Sequence, residues 1–300
     1  HTNKLREGVE LGMEEFGDPE GEPVFFFHGW PSSRLQGVMA DRPGRELGMR
    51  VLSLDRPGLG ASALMENRRL VDWPELLASV ADRLGFEKFL VLGVSGGGPY
   101  ALASAWKMPE RISAACVVCG APPIAELRDA KLLLPAYRIL LALYRQYPNS
   151  LRGLFRMARP FATIEPPEWM WPLILRVLPA SDREVFRSEE VRRAGFRSYL
   201  GSWRGHPDGV FSDAKIYAEP WGFEVETITV PVTVWHGRDD SNFHWSLAES
   251  LAKRMPTAGW HLVEGEGHYS LAFRRMGEIM GDLKQIAHGR GESGGWGCGA

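Results

Sequence analysis

The sequence predicts an α/β fold: a doubly wound, mostly parallel sheet carrying a long helical insertion. Three observations lead there. Short apolar runs without polar alternation recur along the chain, as strands covered on both faces require. Helical patterns separate these runs. A stretch of about a hundred residues between two of them is rich in proline, helical in texture and free of strand pattern. The chain has 300 residues, 44% hydrophobic and 24% charged, enough to bury a sizeable core and too apolar for a disordered chain.

The elements follow in order. Leu5–Glu15 reads as an antiparallel lead-in strand or hairpin. Val24–Phe27 is a strand that runs into His28-Gly29-Trp30-Pro31, and Val51–Leu54 a second that ends in Asp55-Arg56-Pro57-Gly58. Phe89–Leu92 and Ala114–Val118 are the third and fourth, with helical patterns over Trp73–Leu84 and Pro99–Trp106. Val230–Trp235 and His261–Val263 complete the sheet. Between Pro122 and Glu226, apolar helical patterns cover Leu132–Leu143, Leu151–Met157 and Met170–Leu178. That length exceeds an ordinary crossover, so the segment is expected to form a cap over the C-terminal edge of the sheet. The expected domains are a core of residues 1–121 and 227–288, a helical cap of 122–226, and a flexible tail of 289–300 in which Trp296 and Cys298 fall.

Charge and cysteine content exclude other classes. Lys and Arg number 35 against 37 Asp and Glu, a net charge of −2, which leaves no footprint for nucleic acid or an anionic membrane. Three cysteines make neither a disulfide framework nor a metal set, and point to a reducing, cytoplasmic setting. Cys116 and Cys119 have C-x-x-C spacing but lie in an apolar run and read as buried. No apolar stretch has the roughly 18–20 residues that a membrane-spanning helix needs. The first residues, HTNKLREGVE, lack the apolar run of a signal peptide, although a chain that starts at His leaves a removed leader open.

The chemistry centres on Gly93-Val94-Ser95-Gly96-Gly97, a G-x-S-x-G pattern with a strand before it and a helix after it. A serine at so sharp a turn needs a strained backbone and small neighbours. The turn lifts its hydroxyl off the sheet edge, where Ser95 is the expected nucleophile. A hydroxyl needs a base. Of eight histidines, His268 is the candidate, on the Gly-rich loop Glu264-Gly265-Glu266-Gly267 just past the last strand. His28 and His236 read as structural histidines bonded to backbone. The base needs an orienting acid, and the loop after Trp235-His236-Gly237 offers Asp239 and Asp240, between which spacing does not choose. An acyl-transfer site also needs two donors for the oxyanion. One is the Gly96 N–H, and the other comes from the loop after Val24–Phe27. Asp55–Gly60 lacks both phosphate-loop patterns and reads as structural. Trp169, Trp171, Tyr199, Trp203 and Trp221 are expected to pack the cap, some of them lining a pocket.

The chain resembles the α/β-hydrolase superfamily, serine-nucleophile branch with a helical cap. The matching segments are FFFHGWPSSR (25–34), LDRPGLGAS (54–62), LGVSGGGPYALA (92–103), VPVTVWHGRDDSN (230–242) and EGEGHYS (264–270). The resemblance covers nearly the whole chain, in the order Ser…Asp…His. It implies Asp240 as the acid, three residues past Gly237, with Asp239 in reserve. It implies the Trp30 N–H as the second oxyanion donor and a cap after the sixth strand.

The expected function is a cofactor-free serine esterase or lactonase acting on a small-molecule ester, with no metal. Ser95, Asp240 and His268 would form the triad, and Trp30 and Gly96 the oxyanion hole. C–C bond hydrolysis and cofactor-free perhydrolysis use the same triad and stay open. A small-ligand receptor on this fold is the reading from another class. Serine at position 95 argues against haloalkane dehalogenases and epoxide hydrolases, which carry Asp there. The G-G-S-W-G-S motif of proline iminopeptidases is absent.

Overall fold

The computed structural model describes residues 2–4, 10–127 and 130–289. Eight strands form one sheet: β1 Thr2–Lys4, β2 Glu10–Gly17, β3 Glu22–Phe27, β4 Met49–Leu54, β5 Phe89–Val94, β6 Ile112–Val118, β7 Val232–Gly237 and β8 Ala258–Val263. Their order is β1-β2-β4-β3-β5-β6-β7-β8. β1 pairs antiparallel with β2 and β2 antiparallel with β4, and every later pairing is parallel. The lead-in strand expected over Leu5–Glu15 is met by β2, while residues 5–9 lie outside the described residues, as do Trp296, Cys298 and the tail from residue 290 onward.

Alternation along each strand builds two cores. Phe25, Phe27, Leu52, Leu54 and Val91 face α2 (Trp73–Leu84), α3 (Gly98–Lys107) and α10 (Trp245–Arg254). Val24, Phe26, Val51, Leu90 and Leu92 face the other way, against α1 (Asp41–Leu47) and α11 (Ser270–Ala287). Both strand faces are therefore apolar, which is why the sequence shows unbroken runs instead of alternation. Full burial of one Phe stabilises by about 1.5–3 kcal/mol, and β3 buries Phe25, Phe26 and Phe27 at 0–1% exposure.

The sheet order fixes where a site can form. From β3 the chain steps outward to β4, then returns to β5 on the other side of β3. The loops leaving β3 and β5 diverge at this switch point, and the crevice between them is where ligands bind in open α/β sheets. His28-Gly29-Trp30 leaves β3 there and Ser95 leaves β5.

Between β6 and β7 lie α4 (Pro135–Gln146), α5 (Pro148–Ala162), α6 (Trp171–Ile174), α7 (Ala180–Val185), α8 (Glu189–Arg204) and α9 (Gly209–Ala218). Among its described residues this segment has no strand, only a single bridge from Leu133 to Phe243. The helix expected over Met170–Leu178 is broken into two 3₁₀ turns flanking one turn of α-helix. Pro166 and Pro167 before it and Pro179 after it leave little length, and Leu173 and Val177 are exposed, so no buried stripe holds a longer helix. Prolines 135, 148 and 172 sit at helix starts, where the missing N–H is not needed.

Candidate active site

β5 delivers Ser95 to the head of α3 through a turn with almost no room. Ser95 has φ +53°, the left-handed region that non-glycine residues rarely enter. A Cβ on Gly93 would come within 2.3 Å of the Gly97 carbonyl oxygen, and one on Gly97 within 2.0 Å of the Phe27 carbonyl oxygen. Glycine at both positions is the condition for β5, β3 and the turn to approach so closely.

The structure brings three of the expected residues together. His268 Nε2 lies 2.9 Å from Ser95 Oγ, and His268 Nδ1 lies 2.7 Å from Asp240 Oδ2. All three are buried. The other oxygen of Asp240 accepts from the N–H groups of Asn242 at 2.8 Å and Phe243 at 3.0 Å. Asp239 is exposed, so tertiary placement separates the two carboxylates that spacing left open. His236 Nε2 reaches the Phe243 carbonyl at 3.0 Å and stands 3.2 Å from Asp240 Oδ2, so it contacts the Asp240 carboxylate as well as the backbone. His28 hydrogen-bonds the Gly29 carbonyl through Nδ1.

Electrostatics follow from burial and pairing. Burial works against the charge on Asp240, but His268 and His236 hold its carboxyl well below the usual range. Burial works against protonated His268, yet the adjacent Asp240 lifts the imidazole above its ordinary value, helped by Asp182. His28 goes the other way: burial and the nearby Arg56 keep it neutral.

Gly29 and Trp30 lie beside Ser95 and Gly96. A Cβ on Gly29 would stand 3.7 Å from Ser95 Oγ, and one on Gly96 would stand 3.0 Å from Trp30 Cβ. The Gly29 N–H is taken by Gln36 Oε1 at 2.6 Å. The Trp30 indole donates to the Val210 carbonyl at 3.0 Å, which ties this loop to α9.

Ser95 stands between two spaces. One is a narrow apolar cavity of about 70 Å³, lined by Trp30, Gly96, Tyr137, Leu141, Phe155 and Tyr217 among others. The other is a wider cleft of about 580 Å³, reached past Gly29, Pro31, Tyr199, His268 and Tyr269. Of the insertion aromatics, Trp171 and Tyr199 line this cleft, Trp203 and Trp221 are buried, and Trp169 is 74% exposed.

A buried network beside the site escaped the sequence reading. Arg56, from the loop judged structural, donates to the carbonyls of His28 and Gly29 and pairs with Asp213 at 2.7 Å. Arg68 and the Tyr100 hydroxyl also bond Asp213, and the Tyr217 hydroxyl links it to the Gly96 carbonyl. Burial alone would raise Asp213, but the two guanidinium groups hold it well below the carboxylate range. Two arginines spaced twelve residues apart in loops and an Asp 145 residues beyond the second give no local signal.

Among the described residues, one group of three could hold a metal ion: Cys119, Asp240 and His268 have ligand atoms within 4.8 Å of one another. The donor set is unsuited to it. Burial and the neighbouring Asp240 push the Cys119 thiol well up, so it stays protonated, and both imidazole nitrogens are engaged.

A model of the alpha/beta hydrolase family matches residues 24–280. A proline iminopeptidase from Neisseria gonorrhoeae is 33% identical over 106 residues, 34% of this chain, and the chain spans about a third of that relative's length (34%). A 2-hydroxy-6-oxononadienedioate/2-hydroxy-6-oxononatrienedioate hydrolase from Cupriavidus pinatubonensis is 28% identical over 76% of this chain and 75% of its own. A solved thermophilic esterase from Thermogutta terrifontis superposes with a TM-score of 0.68 at 21% identity, covering 96% of this chain and 99% of that one, a likeness of fold.

Proposed function

The chain belongs to the alpha/beta hydrolase family, and from that premise we propose that it is a serine hydrolase cleaving carboxylic esters or lactones. The observation that carries the reading is the continuous chain Asp240–His268–Ser95, at 2.7 and 2.9 Å, standing over an apolar cavity. His268 Nε2 takes the Ser95 proton as Oγ bonds to the substrate carbonyl carbon. Asp240 fixes the tautomer and stabilises the imidazolium. The N–H groups of Gly96 and Trp30 receive the oxyanion. Collapse expels the alcohol, which leaves with the proton held on His268. Water, deprotonated by the same imidazole, then attacks the acyl-enzyme and frees the acid and Ser95. No step calls on a cofactor.

The helical segment 122–226 acts as a cap over the core of 1–121 and 227–288. The narrow cavity takes the acyl chain and the wide cleft the alcohol, which favours small to medium apolar acyl groups. A second reading, hydrolysis of a carbon–carbon bond, is favoured by the 28% identity to the Cupriavidus hydrolase over three quarters of the chain.

The test is turnover of a p-nitrophenyl ester series by wild type and Ser95→Ala. Wild-type turnover with a short-to-medium chain optimum is expected, and the variant should lose on the order of 10⁴-fold or more in kcat. Equal turnover by both proteins would overturn the assignment of Ser95. Failure of wild type on every ester would move the reading to the carbon–carbon substrate.

A further inference from the structure

We propose that Asp182, carried by the cap helix α7, is a positioning residue for the base, clamping the loop that bears His268. The proposal rests on the reading of His268 as the base and goes beyond the triad. Asp182 is fully buried, at 0% exposure, in a segment far from the triad in sequence. Its carboxylate accepts three consecutive backbone N–H groups: His268 at 3.1 Å on Oδ2, then Tyr269 at 2.9 Å and Ser270 at 2.8 Å on Oδ1. Those amides precede and open α11, where a helix start leaves donors unpaired and carries partial positive charge. No side chain of the helix's own N-cap residue serves them. The cap therefore supplies the anion that this helix start lacks.

The surrounding packing is built for the contact. A Cβ on Gly267 would lie 2.6 Å from both Asp182 oxygens, so the glycine before the base is what lets the carboxylate in. The Gly267 N–H is held separately by Ser270 Oγ at 2.7 Å. Phe186, just beyond α7, packs edge-on against Tyr269 and Phe273, and Glu184 pairs with Arg274 at the surface. Three amides on one rigid carboxylate fix the loop's backbone, and that backbone sets where the imidazole stands relative to Ser95 Oγ. The charge acts as well. The titratable groups around the imidazole are Asp240 after β7, His236 on β7, which stands 3.2 Å from the same Asp240 oxygen, Cys119 after β6, Tyr269 in its own loop, and Asp182 from the cap, which holds the His268 backbone N–H. Tyr137 on α4 lies beyond them, and Glu266 is shared with Arg274 and Arg275. Cys119 and both tyrosines stay neutral through burial, so Asp182 is the second carboxylate that acts on His268 beside Asp240.

The experiment measures the rate at which a fluorophosphonate labels Ser95 as a function of pH, in wild type, Asp182→Asn and Glu184→Gln. Labelling joins Oγ to phosphorus, expels fluoride and passes the hydroxyl proton to His268, so it reports the base without needing the natural substrate. Asp182→Asn keeps the shape, removes the charge and turns one acceptor toward the amides into a donor. The expected result is a labelling rate lower by about 10- to 100-fold per active site, with the acid limb moved to lower pH because an anion that favoured the imidazolium is gone. Glu184→Gln, on the same helix but at the surface, should label like wild type. Asp182→Ser, smaller and still an acceptor, gives the same readouts if the Asn variant does not accumulate as folded protein. A merely architectural role would lower the fraction of active protein while leaving both the per-site rate and the pH midpoint unchanged, and that outcome overturns the proposal. Absence of labelling in wild type would instead strike the serine hydrolase reading itself, so the two failures are distinguishable.

Discussion

Ser95 and His268 show how single residues are set by their surroundings. The imidazole is raised above its ordinary value because Asp240 lies 2.7 Å from Nδ1 and burial does not fully offset that attraction. In the mechanism proposed above the neutral imidazole is the base, so the acid limb of kcat/KM should have its midpoint above about 6.5, the unperturbed histidine value. A pH–rate profile with the best p-nitrophenyl ester checks this, and a midpoint at or below that value contradicts it. The linkage to stability has opposite signs for the two partners. His268, raised on folding, stabilises below its unfolded pKa and loses that contribution as pH rises through the folded one. Asp240, lowered on folding, stabilises above the ordinary carboxylate pKa and loses that contribution as pH falls through its depressed value.

At the scale of elements, the site depends on how closely β3, β5 and the head of α3 approach. The Gly97 Cα faces the Phe27 carbonyl so tightly that an added methyl would sit 2.0 Å from the oxygen. Backbone on both sides cannot yield as a flexible side chain would. Gly97→Ala should therefore cost more than the ~1–3 kcal/mol of an ordinary overpacked core. A fall in the urea midpoint or loss of soluble protein would register it, and wild-type stability would contradict the close approach. Here the sequence was a good guide, because G-x-S-x-G between a strand and a helix encodes a local turn. The strands were legible for a similar reason: both faces are buried, so each one is an apolar run. The Met170–Leu178 helix was not, since Leu173, Ile174 and Val177 are exposed, its other apolar residues are only half-buried, and prolines bound it.

Across the whole molecule, the helical segment meets the core at two buried carboxylates, Asp182 and Asp213. Asp182 holds the loop of His268. Asp213 holds Arg56 and Arg68, and Arg56 in turn holds the carbonyls of His28 and Gly29 beside Trp30. Asp213→Asn would leave two buried guanidinium groups without a counter-charge, which costs about 3–5 kcal/mol. The expected outcome is a lower thermal midpoint together with reduced ester turnover. An unchanged midpoint would show that Asp213 does not carry the network. Because both carboxylates belong to one helical segment, its placement is tied to the His28–Trp30 loop and to the His268 loop through buried ion pairs and hydrogen bonds.

The fold class, the tight turn at Ser95, the glycine-rich loop at His268 and the existence of a helical insertion are all legible in the sequence. Each of these is written in residues close together in the chain: apolar runs, glycines flanking Ser95, glycines before His268. The fold supplies the physical difference between Asp239 and Asp240, which spacing leaves equal and the family resemblance resolves toward Asp240: the first is exposed and the second buried. It also alone joined Arg56 to Asp213 and Asp182 to His268, pairs separated by 157 and 86 residues. A carboxylate's partner is whatever the fold brings within about 3 Å, and over such separations no local pattern records which one that is.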